Sequence, residues 1–361
     1  MRKKMHLIVT LVALILTIAS CDIHEWPDSK GSVPAILQLK LDMGMLKMEH
    51  PYLSKSTSEN HYQLRHTIRV FPVNEEGEIA KEAAMGIVVT TPWTENSDQK
   101  ISLQLPTEKS KIAVWTDVVP VGTKGDHHYN TADFSTITLN MPYAGNNDTR
   151  NALWGVVETS VTPTIDEDTA RQVVVTMQSP LAKFSFISTD MKEFMAKEFL
   201  AAKAKADAEA RAKSMNASAA SDSLLLKEEQ SKLSKIDISD YRVVFRYASF
   251  IPHVFDIFRG KPVDSRDPGA VSFESRVTPL DEQEASLGFD YVLVNGEESS
   301  VLVILELYNK EGKLLSASDP MTVPLKRGQH TIIRGKFLSA ESSGSVSINP
   351  DFAGEFIVPV Y

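Results

Sequence analysis

Only one residue of the chain carries a thiol, and this residue, Cys21, lies directly after a long apolar run. A thiol can form a disulfide, bind a metal or carry a covalent group, so its surroundings decide which chemistry is open to it. The 361 residues contain no second cysteine, which excludes an intramolecular disulfide. We therefore expect packing alone to stabilise the fold.

The residues before Cys21 have the pattern of a bacterial secretory signal peptide. Arg2, Lys3 and Lys4 supply a positive start, and the 13 residues of Leu7–Ala19 are mostly aliphatic. A transmembrane helix needs about 20 residues to cross a hydrocarbon core of about 30 Å, so this run is short for a membrane span. The pattern predicts a signal peptide at residues 1–20.

The end of the apolar run, Ile18-Ala19-Ser20-Cys21, resembles the lipobox of bacterial lipoproteins. The resemblance implies cleavage before Cys21, a diacylglycerol on its thiol and a third acyl chain, palmitate for example, on its amine. Two or more acyl chains hold a protein stably on a membrane. The mainly polar residues 21–32 would then tether the folded part to the lipid. An ordinary cleaved signal peptide with an incidental cysteine is the alternative.

The charge balance argues against two classes of partner. The chain has 38 lysines and arginines against 47 acids, a net charge of −9, and loss of the three cations of the signal peptide lowers it to −12. Proteins that bind nucleic acid or anionic head groups through charge are basic. We expect no nucleic-acid partner, and we expect acyl chains rather than protein charge to make the membrane contact.

Patterns that carry catalysis are weak. No Gly-x-Ser-x-Gly elbow occurs, and the serine-rich stretch 342–347 has the wrong spacing for one. Neighbouring acids, such as Glu75-Glu76 and Asp166-Glu167-Asp168, fall in predicted turns and would be solvated there. An acylated Cys21 leaves no thiol nucleophile. We therefore predict a protein without catalytic residues or cofactor.

The histidines do not predict a metal site. His127 and His128 are the only adjacent pair, and Asp126 precedes them. Neighbouring residues on an extended strand point to opposite faces, so the pair would chelate a metal poorly. The acidic stretch 166–169 lacks the ligand spacing of a calcium loop.

The loop 145–155, "GNNDTRNALWG", has the most unusual composition in the chain. Asn and Asp side chains bond to nearby backbone and tolerate left-handed conformations, which predicts a tight turn. We expect Arg150 to pair with Asp148 or Asp133. Two interpretations of the loop are open: a polar and aromatic sugar site that includes Trp154, or a rigid turn with Trp154 packed in the core.

Many short segments alternate apolar and polar residues with period two, as half-buried strands do. Examples are "AILQLKLDM", "LRHTIRVFPV", "SKIAVWTDVVP" and "SSVLVILELYN". Strands of five to eight residues bounded by Pro, Gly, Asn and Asp are typical of β-sandwiches. The pattern predicts a mostly β protein with one sandwich at 33–188 and another at 237–361.

A helical insert at 189–236 separates the two predicted sandwiches. Residues 190–215 are rich in Ala, Lys and Glu, which are strong helix formers, and 224–236 predict a second, short helix. Thr189 or Asp190 could cap the first helix. The insert is interpreted as a surface insertion or as a partner-binding coiled coil, although no a/d repeat lasts three heptads.

Several blocks together resemble a family of Bacteroidales surface lipoproteins in the fimbrillin-like superfamily of pilus shaft, anchor and tip subunits. They include "KIAVWTDVVP", "HHYNTADFSTITL", "GNNDTRNALWG", "VVVTMQSPLAKFSF" and "SVSINPDFAGEF". The resemblance implies two tandem transthyretin-like (Greek-key) β-sandwiches, a lipid-anchored outer-membrane location at the cell surface and a structural or adhesive role. It supplies no catalytic residues.

Subunits of the resembling family join by strand addition, in which an extended segment of one subunit fills an edge or groove of the next. The candidate donor is the last segment, with Phe356, Val358 and Val360 on one face. The candidate acceptor is the groove that removal of the first strand would leave. Such removal would need proteolysis within 45–69, where Arg65 and Arg69 are the only arginines. Ordinary edge strands that complete their own domains are the alternative.

A surface glycan-binding lipoprotein that assists an outer-membrane importer is a second functional hypothesis. Such proteins expose flat aromatic platforms to sugar rings. Trp93 and Trp154 are the candidate contacts, whereas Trp115 lies in a strand with the pattern of a core strand.

Overall fold

The structure is a computed structural model that describes residues 32–41, 61–80, 85–93, 98–160, 171–214, 236–339 and 356–359. Cys21, the predicted signal peptide, most of the tether and Val360 lie outside these ranges. Within them the chain is mostly β, as the alternating pattern predicted, and forms several packed sheets.

Ten strands precede the helix. They are β1 (Ser32–Lys40), β2 (Tyr62–Pro72), β3 (Met85–Pro92), β4 (Asp98–Pro106), β5 (Ser110–Pro120), β6 (Tyr129–Asn130), β7 (Thr136–Leu139), β8 (Ala152–Thr159), β9 (Arg171–Thr176) and β10 (Leu181–Ser188).

The helix α1 (Met191–Ser214) is followed by eleven strands among the described residues. They are β11 (Arg242–Tyr247), β12 (Ile251–Asp256), β13 (Lys261–Arg266), β14 (Ser272–Arg276), β15 (Thr278–Pro279), β16 (Ala285–Leu293), β17 (Glu298–Tyr308), β18 (Leu314–Ala317), β19 (Met321–Lys326), β20 (His330–Gly335) and β21 (Phe356–Pro359).

Two sheets of the first half pack face to face. Sheet I has the strand order β4-β1-β9, and sheet II has the order β3-β2-β5-β8. Their shared core is aliphatic and includes Leu37, Leu39, Ile68 and Val114. Burying one such side chain contributes about 1.5–3 kcal/mol, which is how this half is stabilised without a disulfide.

Two further sheets enclose the core of the second half. Sheet III has the order β15-β16-β10-β20-β21, and sheet IV has the order β14-β11-β17-β18, with β19 also pairing with β17. Rings from both sheets meet inside: Phe186 contacts Phe245 edge to face, and Phe245 stacks on Phe273 with the ring centroids 4.6 Å apart. This core is therefore more aromatic than that of the first half.

A fifth sheet, sheet V, takes strands from both halves of the chain. Its order is β13-β12-β7-β6, so β12 pairs with β7 across the helical insert. Its inner face covers sheet II, where Trp115 and Trp154 pack against Phe255. Strand β5 is therefore buried on both faces, which explains its nearly continuous apolar sequence.

Strand β10 also links the two halves. It falls inside the predicted first sandwich, yet it lies in sheet III, antiparallel to β16 and parallel to β20. The division of the chain at residues 188 and 237 stays a prediction, because sheets III and V both draw strands from either side of it.

Only the first turns of α1 pack on the body. Met191 and Phe194 are buried, whereas Phe199 is 45% exposed and Leu200 65% exposed. The carboxylate of Asp190 does not act as the expected helix cap; it accepts hydrogen bonds from the Ser188 hydroxyl and from two backbone N–H groups, of Leu338 and Ser339. Residues 224–235 of the predicted second helix lie outside the described ranges. In the described part, no helix has the length and apolarity to cross a membrane.

Candidate functional site

The last described strand forms the edge of sheet III. Strand β21 pairs in parallel with β20, with Phe356 opposite Thr331 and Val358 opposite Ile333. Among the described residues no further strand pairs with its outer side. An edge strand presents unpaired backbone N–H and C=O groups, which can pair with another chain.

The first strand has the opposite placement. Strand β1 lies in the middle of sheet I, antiparallel to β4 and parallel to β9, so it is not an edge strand. Leu37 and Leu39 are fully buried in the core between the sheets. Removing β1 would separate its two neighbours and expose this core.

The two arginines that a processing protease would need lie inside β2, between β3 and β5. Arg65 is 1% exposed, and its guanidinium donates to both carboxylate oxygens of Asp117, at 2.8 and 2.7 Å. It also donates to Asp126 at 2.6 Å. Arg69 is half-buried, with its guanidinium 5.8 Å from the centroid of the Phe134 ring. Neither arginine is offered on an accessible loop.

The first part of the loop 145–155 is a tight turn, as its Asn and Asp content predicted, and residues 148–151 are buried. Asn146 adopts a left-handed backbone with φ of 56°, and its backbone N–H donates to the Phe289 carbonyl of β16 at 2.9 Å. The Asn147 side chain accepts from the backbone N–H of Thr149, which starts a short 3₁₀ turn at Asp148–Arg150. At Gly145 a Cβ atom would lie 2.2 Å from the Phe273 ring, so only glycine fits there.

Arg150 pairs with neither of the two predicted partners. Its Nη1 donates to the carboxylate of Asp290 on β16, and both side chains are almost fully buried. The hydroxyls of Tyr143 and Tyr247 donate to the other oxygen of the same carboxylate. The Arg150 guanidinium also lies 4.1 Å from the centroid of the Tyr143 ring. The expectation of a local pair was wrong because the loop folds against β16, which brings Asp290 closer.

A second buried ion pair lies beside the first. Lys183 on β10 donates from Nζ to Asp148 at 3.1 Å, and the Tyr291 hydroxyl donates to the same oxygen at 2.9 Å. The Lys183 ammonium also sits 4.6 Å from the centroid of the Phe289 ring. We call Tyr143, Asp148, Arg150, Lys183, Tyr247, Asp290 and Tyr291 the buried latch.

The electrostatics of the latch follow from burial. Desolvation raises the pKa of the Tyr143 and Tyr247 phenols, so both remain neutral donors. Burial tends to lower the pKa of Arg150, but the Asp290 carboxylate outweighs it and the pKa is raised. The charged Arg150 guanidinium therefore joins the loop to β16 inside the protein.

One member of the histidine pair, His128, forms a hydrogen bond to this loop. His128 Nε2 lies 2.7 Å from the Thr149 hydroxyl, which itself donates to Asn147. That hydroxyl must therefore accept, and His128 is the donor through Nε2. Burial, with added repulsion from His127 and Arg150, lowers the pKa of His128 to about 3. No cluster of three or more potential metal ligands occurs among the described residues.

The tryptophans offer little exposed ring. Trp154 is 8% exposed and lies edge to face on Phe255, with the ring centroids 5.4 Å apart. Trp93 is half-buried against the aliphatic core of the first half. A sugar platform needs an accessible aromatic face, so the burial of Trp154 favours the rigid-turn interpretation of its loop.

Sequence reasoning missed five residues of the latch, namely Tyr143, Lys183, Tyr247, Asp290 and Tyr291. Lys183 and Asp290 are the only charged residues of two mainly apolar strands, and a charged residue in such a strand marks a buried polar contact. That signal could have shown that each needs a partner. It could not have shown which one, because the partners are up to 147 residues apart.

These features define a class: a multi-sheet β protein whose halves are joined by shared sheets and a buried ionic latch. The chain belongs to a family of unknown function, DUF6562, whose family model matches residues 28–360. None of the curated proteins matches the chain.

Solved structures from Bacteroidales are similar to the chain. A candidate adhesin from Bacteroides ovatus has 10% identity and a TM-score of 0.40, over 82% of this chain and 80% of its own. The fimbrial anchor protein Mfa2 from Porphyromonas gingivalis has 10% identity and a TM-score of 0.34, over 79% and 82%. A fimbrial assembly protein from Parabacteroides distasonis has 14% identity and a TM-score of 0.33, over 86% and 93%. These are proteins of the kind that the sequence blocks resemble.

Proposed function

We propose that the chain is a lipid-anchored, non-catalytic protein of the outer membrane that acts as an anchor or accessory subunit of a fimbrial-type assembly. Its lipid is attached to Cys21, and it contacts other subunits through the edge of sheet III. The transthyretin-like topology of the two tandem sandwiches is part of this proposal. One observation supports contact through this edge: β21 is the last strand of sheet III, and no described strand pairs with its outer side.

An anchor fits better than a polymerising shaft subunit, because a shaft subunit needs an open groove. The central position and full burial of β1 favour a chain that keeps its first strand. Burial of Arg65 and the strand position of Arg69 count against proteolytic release. The unpaired outer edge of β21 would then provide the contact.

Deletion of residues 354–361 tests the proposal on the full chain. We expect loss of higher oligomers, measured by light scattering, while the circular dichroism spectrum stays that of the intact β protein. Oligomers that persist after the deletion would count against strand addition.

Two proline variants sharpen this test, because successive N–H groups of a strand point to opposite sides. Among Ile357→Pro and Val358→Pro, one removes an N–H that faces β20 and the other an N–H that faces outward. We expect the outward variant to weaken assembly without lowering the melting temperature. Equal effects of both variants on assembly would contradict contact through the outer edge.

A further inference from the structure

A cleft of about 560 Å³ lies at one end of sheet IV. It is lined by the turn before β11, the end of β14 and the loop after β17; the lining includes Asp240, Arg242, Glu274, Arg276, Asn309 and Lys310. Its volume is within the range of small-ligand sites, which is about 300–1,000 Å³.

The strand register places two arginines side by side at this cleft. Arg242 is directly opposite Arg276 on β14 and directly opposite Tyr308 on β17. Like charges in directly opposite positions of an antiparallel pair are destabilising. A sheet that keeps such a pair gives up stability at that point, and departures of this kind concentrate at functional positions.

Only one of the two arginines is neutralised. Arg242 donates to the Glu274 carboxylate, and its guanidinium lies 5.0 Å from the centroid of the Tyr308 ring, which fixes its orientation. Within the described part of the chain, neither Arg276 nor Lys310 forms an ion pair. Both are exposed, so their donors are open to a ligand.

The net charge of the residues that line the cleft is positive, whereas that of the whole chain is negative. Three cations and two acids line it, and Glu274 is already paired with Arg242, whereas the whole chain has a net charge of −9. A planar guanidinium beside an ammonium suits a carboxylate or a sulfate ester, which accept two parallel hydrogen bonds. Asn309 Oδ1 already accepts from the backbone N–H groups of Glu311 and Lys313, so its amide nitrogen is the group that can donate to a sugar hydroxyl.

We propose that this cleft binds an acidic sugar residue of a polysaccharide, with Arg276 and Lys310 contacting its anionic group. Arg242 is a positioning residue that holds Glu274 away from the ligand. The proposal does not depend on the fimbrial role of the chain.

Affinity electrophoresis of the full-length protein in mild detergent tests it, with polygalacturonate, dextran sulfate or neutral dextran in the gel. We expect retardation by an anionic polymer and none by dextran, and retardation should disappear at high salt. The polygalacturonate and dextran sulfate gels distinguish a carboxylate from a sulfate ester. Failure of both to retard the protein would overturn the proposal.

The double variant Arg276→Glu/Lys310→Glu should weaken binding about tenfold or more, because hydrogen bonds to charged groups contribute about 1.5–3 kcal/mol. The matched control is Lys100→Glu/Lys261→Glu, which makes the same charge change at exposed positions of β4 and β13. If the two double variants weakened binding equally, net charge alone would explain the effect, and a site at the cleft would be contradicted. Arg276→Gln alone, which adds no negative charge, should weaken binding to a smaller extent.

Discussion

Arg150 and Asp290 form a buried ion pair although 140 residues separate them in the chain. One lies in the loop before β8 and the other in β16, so the pair joins the two halves from the inside. The shared sheets III and V make the same connection through backbone pairing. The two halves are therefore connected both by backbone pairing and by a buried ion pair.

The latch predicts strong coupling between its two charges. Asp290→Asn leaves the Arg150 charge buried without its counter-ion, and we expect a loss of about 3–5 kcal/mol in the free energy of unfolding. Arg150→Met removes the unpaired charge, so the double variant should lose less than the sum of the single ones. Urea unfolding monitored by tryptophan fluorescence measures this, and additive losses would contradict the coupling.

The control for this cycle is the exposed pair of Lys109 and Glu158, whose side chains are 50% and 46% exposed. Solvent screens exposed ion pairs, so Lys109→Met and Glu158→Gln should change the unfolding midpoint little.

Histidine burial predicts a dependence of stability on pH. His66 lies between the hydroxyls of Thr116 and Thr91, and burial lowers its pKa from 6.5 to about 4. The unfolded chain takes up a proton near pH 6.5 and the folded chain only near pH 4. The contribution of His66 to the free energy of unfolding is therefore fully present above pH 6.5. About 3 kcal/mol of it is lost as the pH drops towards 4.

The measurement is the urea midpoint at pH 7 and at pH 4.5, for the native chain and for His66→Gln. In His66→Gln the urea midpoint should change less between the two pH values. The change that remains arises from His128, whose pKa is also lowered by burial. An equal change in the variant and the native chain would show that His66 does not carry the effect.

Glycine at position 145 is predicted to be required by packing. A Cβ atom there would overlap the Phe273 ring, and overpacking of a core costs about 1–3 kcal/mol. Gly145→Ala should lower the melting temperature. Gly125→Ala is the matched control, because the nearest atom to its Cβ lies at 3.5 Å. Equal melting temperatures for the two variants would contradict the close contact.

The placement of Arg65 and Arg69 predicts resistance to an arginine-specific protease. Proteases bind extended, accessible segments, whereas both arginines lie in β2, which pairs with β3 on one side and with β5 on the other. We expect no cleavage at either site in the native chain and rapid cleavage after unfolding in urea. Mass spectrometry identifies the fragments. Cleavage after Arg65 in the native chain would contradict this prediction and would support proteolytic removal of the first strand.

The sequence predicted local structure well, because alternation and turn residues act over short distances. β5 begins and ends where the segment "SKIAVWTDVVP" does, and the Ala-rich helix covers nearly its predicted range. Strand β8 was missed because its first residues were assigned to the loop 145–155. Strand β13 is mostly exposed and polar, so it lacks the apolar alternation on which the prediction relied.

Long-range pairing was beyond reach for a different reason. Nothing in "LAKFSFIS" indicates that β10 pairs with β20, 147 residues later, since any apolar strand would fit. The same holds for Arg150, whose partner depends on how the halves meet. The proposed lipid at Cys21 rests on the neighbouring sequence alone. It can be tested by direct measurement.

Metabolic labelling of cells with a palmitate analogue is that measurement. The account predicts that the native chain is labelled and fractionates with the outer membrane, whereas Cys21→Ala is unlabelled and is released from it. A native chain that takes up no label, or a Cys21→Ala variant labelled equally well, would contradict a lipid-anchored subunit.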